Sequence, residues 1–237
     1  MNLILDIGNT RAKFALFEGQ TLLFQEVGDN QEFLSFLKGK KIKNAVVSSV
    51  IKNQFVELEK TLDCPIIHIS SSTPIPIENL YLTKDTLGVD RLANAVAANS
   101  IFPQRNVLVV DCGTCVKYDF VNHKNQYLGG SISPGLQMRF KALNQFTGKL
   151  PLLKPEAHPS LIGDSTETAI TSGVINGLVA EIKGVIKSYT SIYENLTVIL
   201  TGGDASFFDK ELKSNIFVEP TLTLIGLNEI LLYNTPN

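Results

Sequence analysis

The stretch that decides the fold is Leu3-Ile4-Leu5-Asp6-Ile7-Gly8-Asn9-Thr10. Three apolar residues lead into Asp6, and Gly8 with the short polar pair Asn9-Thr10 follows. An apolar run that ends in Asp-x-Gly-x-Thr describes a buried strand delivering a carboxylate into a tight turn. Gly8 lacks a Cβ, so the backbone there can take positive φ and let a ligand come close. Thr10 adds a hydroxyl beside the exposed amides of the turn. The arrangement suits a phosphate with its metal, and it equally suits a plain strand and turn.

An echo decides between the two. Leu108-Val109-Val110-Asp111-Cys112-Gly113-Thr114 repeats the design almost half a chain length later. Each copy runs on into a second apolar stretch, Phe14-Ala15-Leu16-Phe17 after the first and Tyr118-Asp119-Phe120-Val121 after the second. Such internal similarity implies two related halves, each opening with a β-hairpin that presents an aspartate at its turn. The boundary falls at residues 103–106, giving halves of 1–104 and 105–237.

At 237 residues with 44% hydrophobic and 19% charged side chains, the chain can bury a sizeable core and is no disordered segment. A formal net charge of −2 offers no electrostatic reason to expect nucleic acid. Lys40, Lys41 and Lys43 read as a solvated loop. No apolar stretch reads as reaching the roughly 18–20 residues that cross a bilayer, and no basic leader precedes Asp6, so a cytoplasmic location without membrane attachment is expected. Cys64, Cys112 and Cys115 make no disulfide framework. Cys112-x-x-Cys115 has the spacing of a zinc half-site, but His68, His123 and His158 stand singly and supply no second half.

Strands and helices alternate along both halves. Residues 30–38 and 54–62 carry apolar residues at helical spacing, and residues 44–50 and 65–69 read as parallel strands. This is the pattern of an α/β domain with a largely parallel sheet. Residues 70–78 form a loop that leads through Tyr81 to Gly88-Val89-Asp90-Arg91, at the start of an Ala-rich helix. Asp90 suits that helix end as a cap and by its charge. Arg91 fits the helix dipole poorly, so an anionic ligand is a second explanation for it. In the second half, residues 127–135 read as a glycine-rich loop, and a long helix starts after Gly163-Asp164-Ser165-Thr166. A strand then ends in Thr201-Gly202-Gly203-Asp204, and a closing helix spans residues 224–233.

There is no Gly-x4-Gly-Lys-Ser/Thr loop and no Gly-x-Gly-x-x-Gly fingerprint. Two aspartate turns around one cleft would instead grip nucleotide phosphates through amides and hydroxyls, with Gly202-Gly203 against the nucleoside. Mg²⁺ keeps several waters, so Asp6 and Asp111 need hold it only loosely beside phosphate. Phosphoryl transfer asks mainly for positioning and charge neutralisation. Asp90, outside the turns and next to Arg91, is the best proton acceptor for an attacking hydroxyl.

Asp6–Thr10, Gly88–Arg91, Asp111–Thr114, residues 129–135 and 201–204, in this order and chain length, closely resemble type III pantothenate kinases. The resemblance implies the acetate-and-sugar-kinase/actin-like ATPase fold, with two RNase H-like halves related by internal duplication, as a homodimer. The implied reaction is ATP-dependent phosphorylation of pantothenate, the first step of coenzyme A synthesis. Carried over by position, Asp6, Ile7, Gly8, Asn9, Thr10, Arg11, Ala12 and Lys13 form the first ATP phosphate segment, and Thr114 contacts ATP. From its own chemistry, rather than the resemblance, Asp6 is also expected to hold Mg²⁺ through water. Gly88, Val89, Asp90 and Arg91 bind pantothenate, with Asp90 as base and Arg91 suited to the substrate carboxylate. Tyr81 and Thr166 contact the same substrate. Asp111 ligates the monovalent cation, K⁺ or NH₄⁺, that the family requires. One departure stands out: the second turn commonly continues Ala-x-Thr, where this chain has Cys115-Val116-Lys117. Lys117 either adds positive charge near the phosphates or points to solvent. Two alternatives remain: a kinase of the same superfamily acting on another small hydroxylated substrate, and a regulatory relative without turnover.

Overall fold

The computed structural model describes residues 1–7, 12–28, 37, 39–49, 62–212 and 216–235. Gly8, Asn9, Thr10 and Arg11 lie outside the described residues, as do nearly all of the helices expected at residues 30–38 and 54–62. The chain divides into two compact units, Met1–Ile101 with Thr221–Asn237, and Phe102–Pro220.

In the first unit, β1 (Asn2–Ile7), β2 (Ala12–Glu18), β3 (Thr21–Gly28), β4 (Asn44–Ser49) and β5 (Ile66–His68) form a sheet of order β3-β2-β1-β4-β5. β1 is antiparallel to β2 and parallel to β4, which puts Asp6 between Lys13 and Ser48. Its run Leu3-Ile4-Leu5 is fully buried, as a central strand covered on both faces must be. Leu3, Leu5, Phe14, Leu16 and Val47 share one apolar layer. After a two-residue strand β6 (Glu78–Asn79), α1 (Val89–Ile101) runs as the expected helix, its Leu92–Ala98 segment buried throughout.

The second unit has β7 (Val107–Cys112), β8 (Cys115–Val121), β9 (Gln126–Pro134), β10 (Thr197–Thr201) and β11 (Phe217–Val218) in the order β11-β10-β7-β8-β9. Numbered from its own first strand, each unit has the order third-second-first-fourth-fifth. In both, the first three strands are antiparallel, and the fourth and fifth run parallel to the first. The repeated aspartate strand thus belongs to a repeated sheet. α2 (Leu136–Gln145), α3 (Thr166–Ile192) and α4 (Ala205–Leu212) complete this unit. Leu108, Val110, Val116, Tyr118 and Phe120 face Ile170, Val174, Leu178 and Ile182 of α3 and Phe208 of α4.

Two expectations are corrected. Residues 127–135, read as a loop for their glycines, are mostly strand β9, antiparallel to β8. Gly129 takes φ +101° beside a register shift at Phe120/Val121, and a Cβ on Gly130 would collide with the Tyr118 backbone. The glycines serve a bulged strand pressed against its neighbour. Secondly, α3 spans 27 residues and contains an 18-residue window with a mean hydropathy of 1.4, long and apolar enough to cross a bilayer by length and composition. One side of it is buried on the sheet and the other carries Lys183 and Lys187, the amphipathic pattern of a core helix. Ser165 starts it through a capping box with Thr168.

The last helix, α5 (Leu222–Asn234), clusters with the first unit, although the division at 104/105 counted it with the second half. It lies against α1 so closely that a Cβ on Gly226 would strike the carbonyl of Ala93. Thr223 Oγ1 donates to Asn94 Oδ1 over a buried 2.8 Å. Asn228 accepts from Asn2 Nδ2 and donates to the carbonyl of Gly19, tying α5 to β1 and to the turn between β2 and β3.

Candidate functional site

The first unit carries two groups of the expected residues. Asp6, half-buried, and Ile7, buried, end β1, and Ala12 and Lys13 begin β2 across the hairpin. The sheet therefore sets Asp6 beside Lys13 in register, while residues 8–11 of the same segment lie outside the described residues.

The second group surrounds the N-terminus of α1. Val89 is its first residue and Asp90 its second. Asp90 folds its side chain back so that Oδ1 accepts from the N–H of Arg91 at 2.9 Å. Gly88 makes room for this, since a Cβ there would sit 2.5 Å from Asp90 Oδ1. Arg91 is only 4% exposed, and its guanidinium carbon lies 5.4 Å from the centre of the Tyr81 ring. An arginine in the first turn opposes the helix dipole and is costly to bury, and the Tyr81 ring offsets part of that cost. The N–H of Tyr81 donates to Asn79 Oδ1, which fixes the segment carrying the ring. Tyr81, Gly88, Asp90 and Arg91 are thus one assembly.

In the second unit Asp111 sits at the end of β7, between Thr201 of β10 and Lys117 of β8. Lys117 does not point to solvent: its Nζ lies 2.8 Å from Asp111 Oδ2, and both side chains are largely buried. Gly202, at φ +94°, packs against the other oxygen, where a Cβ would lie 2.5 Å from Asp111 Oδ1. The N–H of Asp204 donates to the Cys112 carbonyl, joining this glycine turn to the aspartate turn. Thr114 is exposed at the tip, and its carbonyl accepts from the N–H of Gly135. Burial, reinforced by Asp111 and Asp204, pushes the Cys112 thiol far up, so it is an inert core side chain. Burial also raises Asp204. Thr166 is the exposed first residue of α3, distinct from the aspartate turn in the elements that carry it.

A buried polar pair on the same sheet escaped the sequence reading. Asp119 is fully buried and accepts from the Tyr127 hydroxyl at 2.7 Å. Its position within the apolar run 118–121 was the available signal. Among the described residues no group of three or more His, Cys, Asp or Glu side chains is placed to hold a metal. A divalent ion here would therefore rely on phosphate and water for most of its ligands.

A profile for type III pantothenate kinases matches residues 2–188. A Bacteroides fragilis protein named type III pantothenate kinase is 48% identical to this chain, covering 99% of it and 98% of the relative. A solved Campylobacter jejuni structure, named for the Baf family of transcriptional activators, superposes with a TM-score of 0.65 at 22% identity over 98% of each chain. A Sinorhizobium meliloti structure named for 2-dehydro-3-deoxygalactonokinase gives 0.58 at 12% identity over 100% of both. At such identities the structures bear on fold alone, and that fold is the sugar-kinase and actin-like one.

Proposed function

This chain belongs to the type III pantothenate kinase family, and we propose that Asp90 is the base with which it phosphorylates pantothenate from ATP. It is an enzyme, a phosphotransferase acting on an alcohol, and its reaction opens coenzyme A synthesis. The observation that carries the site assignment is the assembly at the start of α1. A carboxylate anchored by the next residue's N–H lies beside a buried guanidinium under a tyrosine ring.

In this reading Asp90 accepts the proton of the pantothenate hydroxyl as that oxygen attacks the γ-phosphorus of ATP. The bond from γ-phosphorus to the bridging oxygen breaks, and ADP leaves. The transition state is loose, so the base need not be strong and its position matters most. Arg91 pairs with the pantothenate carboxylate through its planar fork, with Tyr81 holding the guanidinium plane. Gly88 and Val89 let the substrate approach the helix start. Thr166, an exposed residue at the N-terminus of α3, is a further proposed pantothenate contact.

ATP and a divalent metal follow from the kinase family. Asp6 with Ile7, Gly8, Asn9, Thr10, Arg11, Ala12 and Lys13 is the proposed phosphate segment, and Thr114 a further ATP contact. Asp6 is the carboxylate proposed to hold Mg²⁺ through water, in keeping with the sparse donor set. The metal, when bound, neutralises the phosphate charge. The homodimer implied by the resemblance stays part of the proposal, and sedimentation at micromolar concentration tests it.

The deciding experiment is a coupled assay of ADP release with ATP and Mg²⁺, offering pantothenate beside several sugars and short hydroxy acids. Turnover on pantothenate alone is expected. Folded protein that fails to turn over pantothenate with any monovalent cation would overturn the reading.

A further inference from the structure

The monovalent cation expected at Asp111 meets an obstacle in this chain. Lys117 Nζ already sits 2.8 Å from Asp111 Oδ2, with side-chain exposures of 15% and 9%. Resting on the kinase reading above, we propose that the Lys117 ammonium takes the place of K⁺ or NH₄⁺ at Asp111, so that the enzyme needs neither.

Register makes the pair obligatory. Cys112 opposes Val116 and Asp111 opposes Lys117 across the β7–β8 hairpin, so the two side chains leave the same face of the sheet as direct neighbours. The other Asp111 oxygen lies close to two glycines. A Cβ on Gly202 would lie 2.5 Å from Oδ1, and one on Gly113 3.3 Å from it. A bound K⁺ needs several oxygen ligands, whereas here one carboxylate oxygen already faces an ammonium and the other is crowded by the glycine turns. A second cation would also meet the first at close range, where largely buried like charges repel strongly. The ammonium carries the same single charge as K⁺, resembles NH₄⁺ chemically and is delivered by the chain itself. No ion then has to be recruited from solution, and none is lost when the salt changes.

Two readouts at constant ionic strength test this, with choline chloride replacing KCl or NH₄Cl. The wild-type rate is expected to change less than about twofold among the three salts, and its melting temperature to show no rise specific to K⁺. Lys117→Thr and Lys117→Met are expected to lose about tenfold or more in choline and to regain rate in KCl or NH₄Cl. Lys117→Thr is also expected to gain a K⁺-specific rise in melting temperature. Lys117→Arg, which keeps the charge, should stay indifferent to the salt. A wild-type enzyme activated tenfold by K⁺ or NH₄⁺, or stabilised specifically by K⁺, overturns the proposal. So does a folded Lys117→Thr that gains no response to K⁺ in either readout. If the wild type were inactive in every salt, the kinase reading would fail while the melting series still decided the cation question.

Discussion

The N–H of Arg91 donates to Oδ1 of Asp90 over 2.9 Å, so the proposed base is oriented by the backbone of the proposed substrate-binding cation. An amide oxygen can accept the same bond, which lets one substitution separate chemistry from helix capping. Asp90→Asn is expected to leave ATP binding and melting temperature nearly unchanged while kcat falls by about 10²-fold or more. Steady-state kinetics beside a nucleotide titration checks it. Full activity in that variant would reduce Asp90 to a cap.

Gly88→Ala tests position without touching charge. The added Cβ would meet Asp90 Oδ1 at 2.5 Å, and the short Asp side chain must rotate away. Misplacing a reacting group by about 1 Å can cost up to about 10²-fold in rate. The expected signature is a fall in kcat of about tenfold or more with a small change in thermal stability. An unchanged kcat would mean that the carboxylate orientation seen here is not the working one.

Arg91 and Tyr81 should separate KM from kcat. Lys keeps the charge of Arg91 but loses the planar fork and the stacking on the ring, which is 5.4 Å away. Arg91→Lys is expected to raise the KM for pantothenate about tenfold while the KM for ATP holds. Tyr81→Leu removes a contact worth about 0.5–2 kcal/mol and should shift the same KM in the same direction. Equal effects on both substrates would count against a pantothenate-specific role.

Gly226→Val addresses the α1–α5 contact. Its side chain has no room beside the Ala93 carbonyl, so the helices must separate. Overpacking of this kind typically costs about 1–3 kcal/mol, visible as a lower urea midpoint. A wild-type midpoint would show that the contact yields more easily than its geometry implies.

The pair Arg139–Glu181 carries a pH dependence. Burial alone would raise Glu181, but bonds from Arg139, Ser133 and Tyr118 outweigh it and hold its carboxyl below its usual 4.5. A carboxyl lowered in the folded state stabilises fully above its unfolded value and less as pH falls through the folded one. Wild type should therefore lose stability below about pH 4.5 faster than Arg139→Met, which cannot make the pair. Parallel urea denaturation series from pH 7 to pH 3 would reveal it, and identical slopes would refute it.

Strands such as β1 and β7 were legible because a buried central strand needs an apolar run, Leu3–Leu5 in one and Val107–Val110 in the other, each followed by an aspartate one residue before the strand ends. The helix at Val89 was legible from its cap and alanines. Strand β9 was not, because glycines that usually mark a loop here admit a neighbouring backbone, a condition visible only once Tyr118 lies opposite. Nor was the allegiance of α5: its partners Asn2 and Asn94 are far away in the chain.

The linear chain by itself determined the duplication, the two strands that carry Asp6 and Asp111 and the helix start at Gly88–Arg91, since short-range patterns and local chemistry suffice for all three. Tertiary structure alone decided where Lys117 points. Hairpin register is set by how many residues the turn takes up, and a shift of one residue would turn the ammonium to the other face of the sheet. With three residues between Cys112 and Val116, it meets Asp111 instead. The carboxylate was written in the sequence, and its partner was set by the fold.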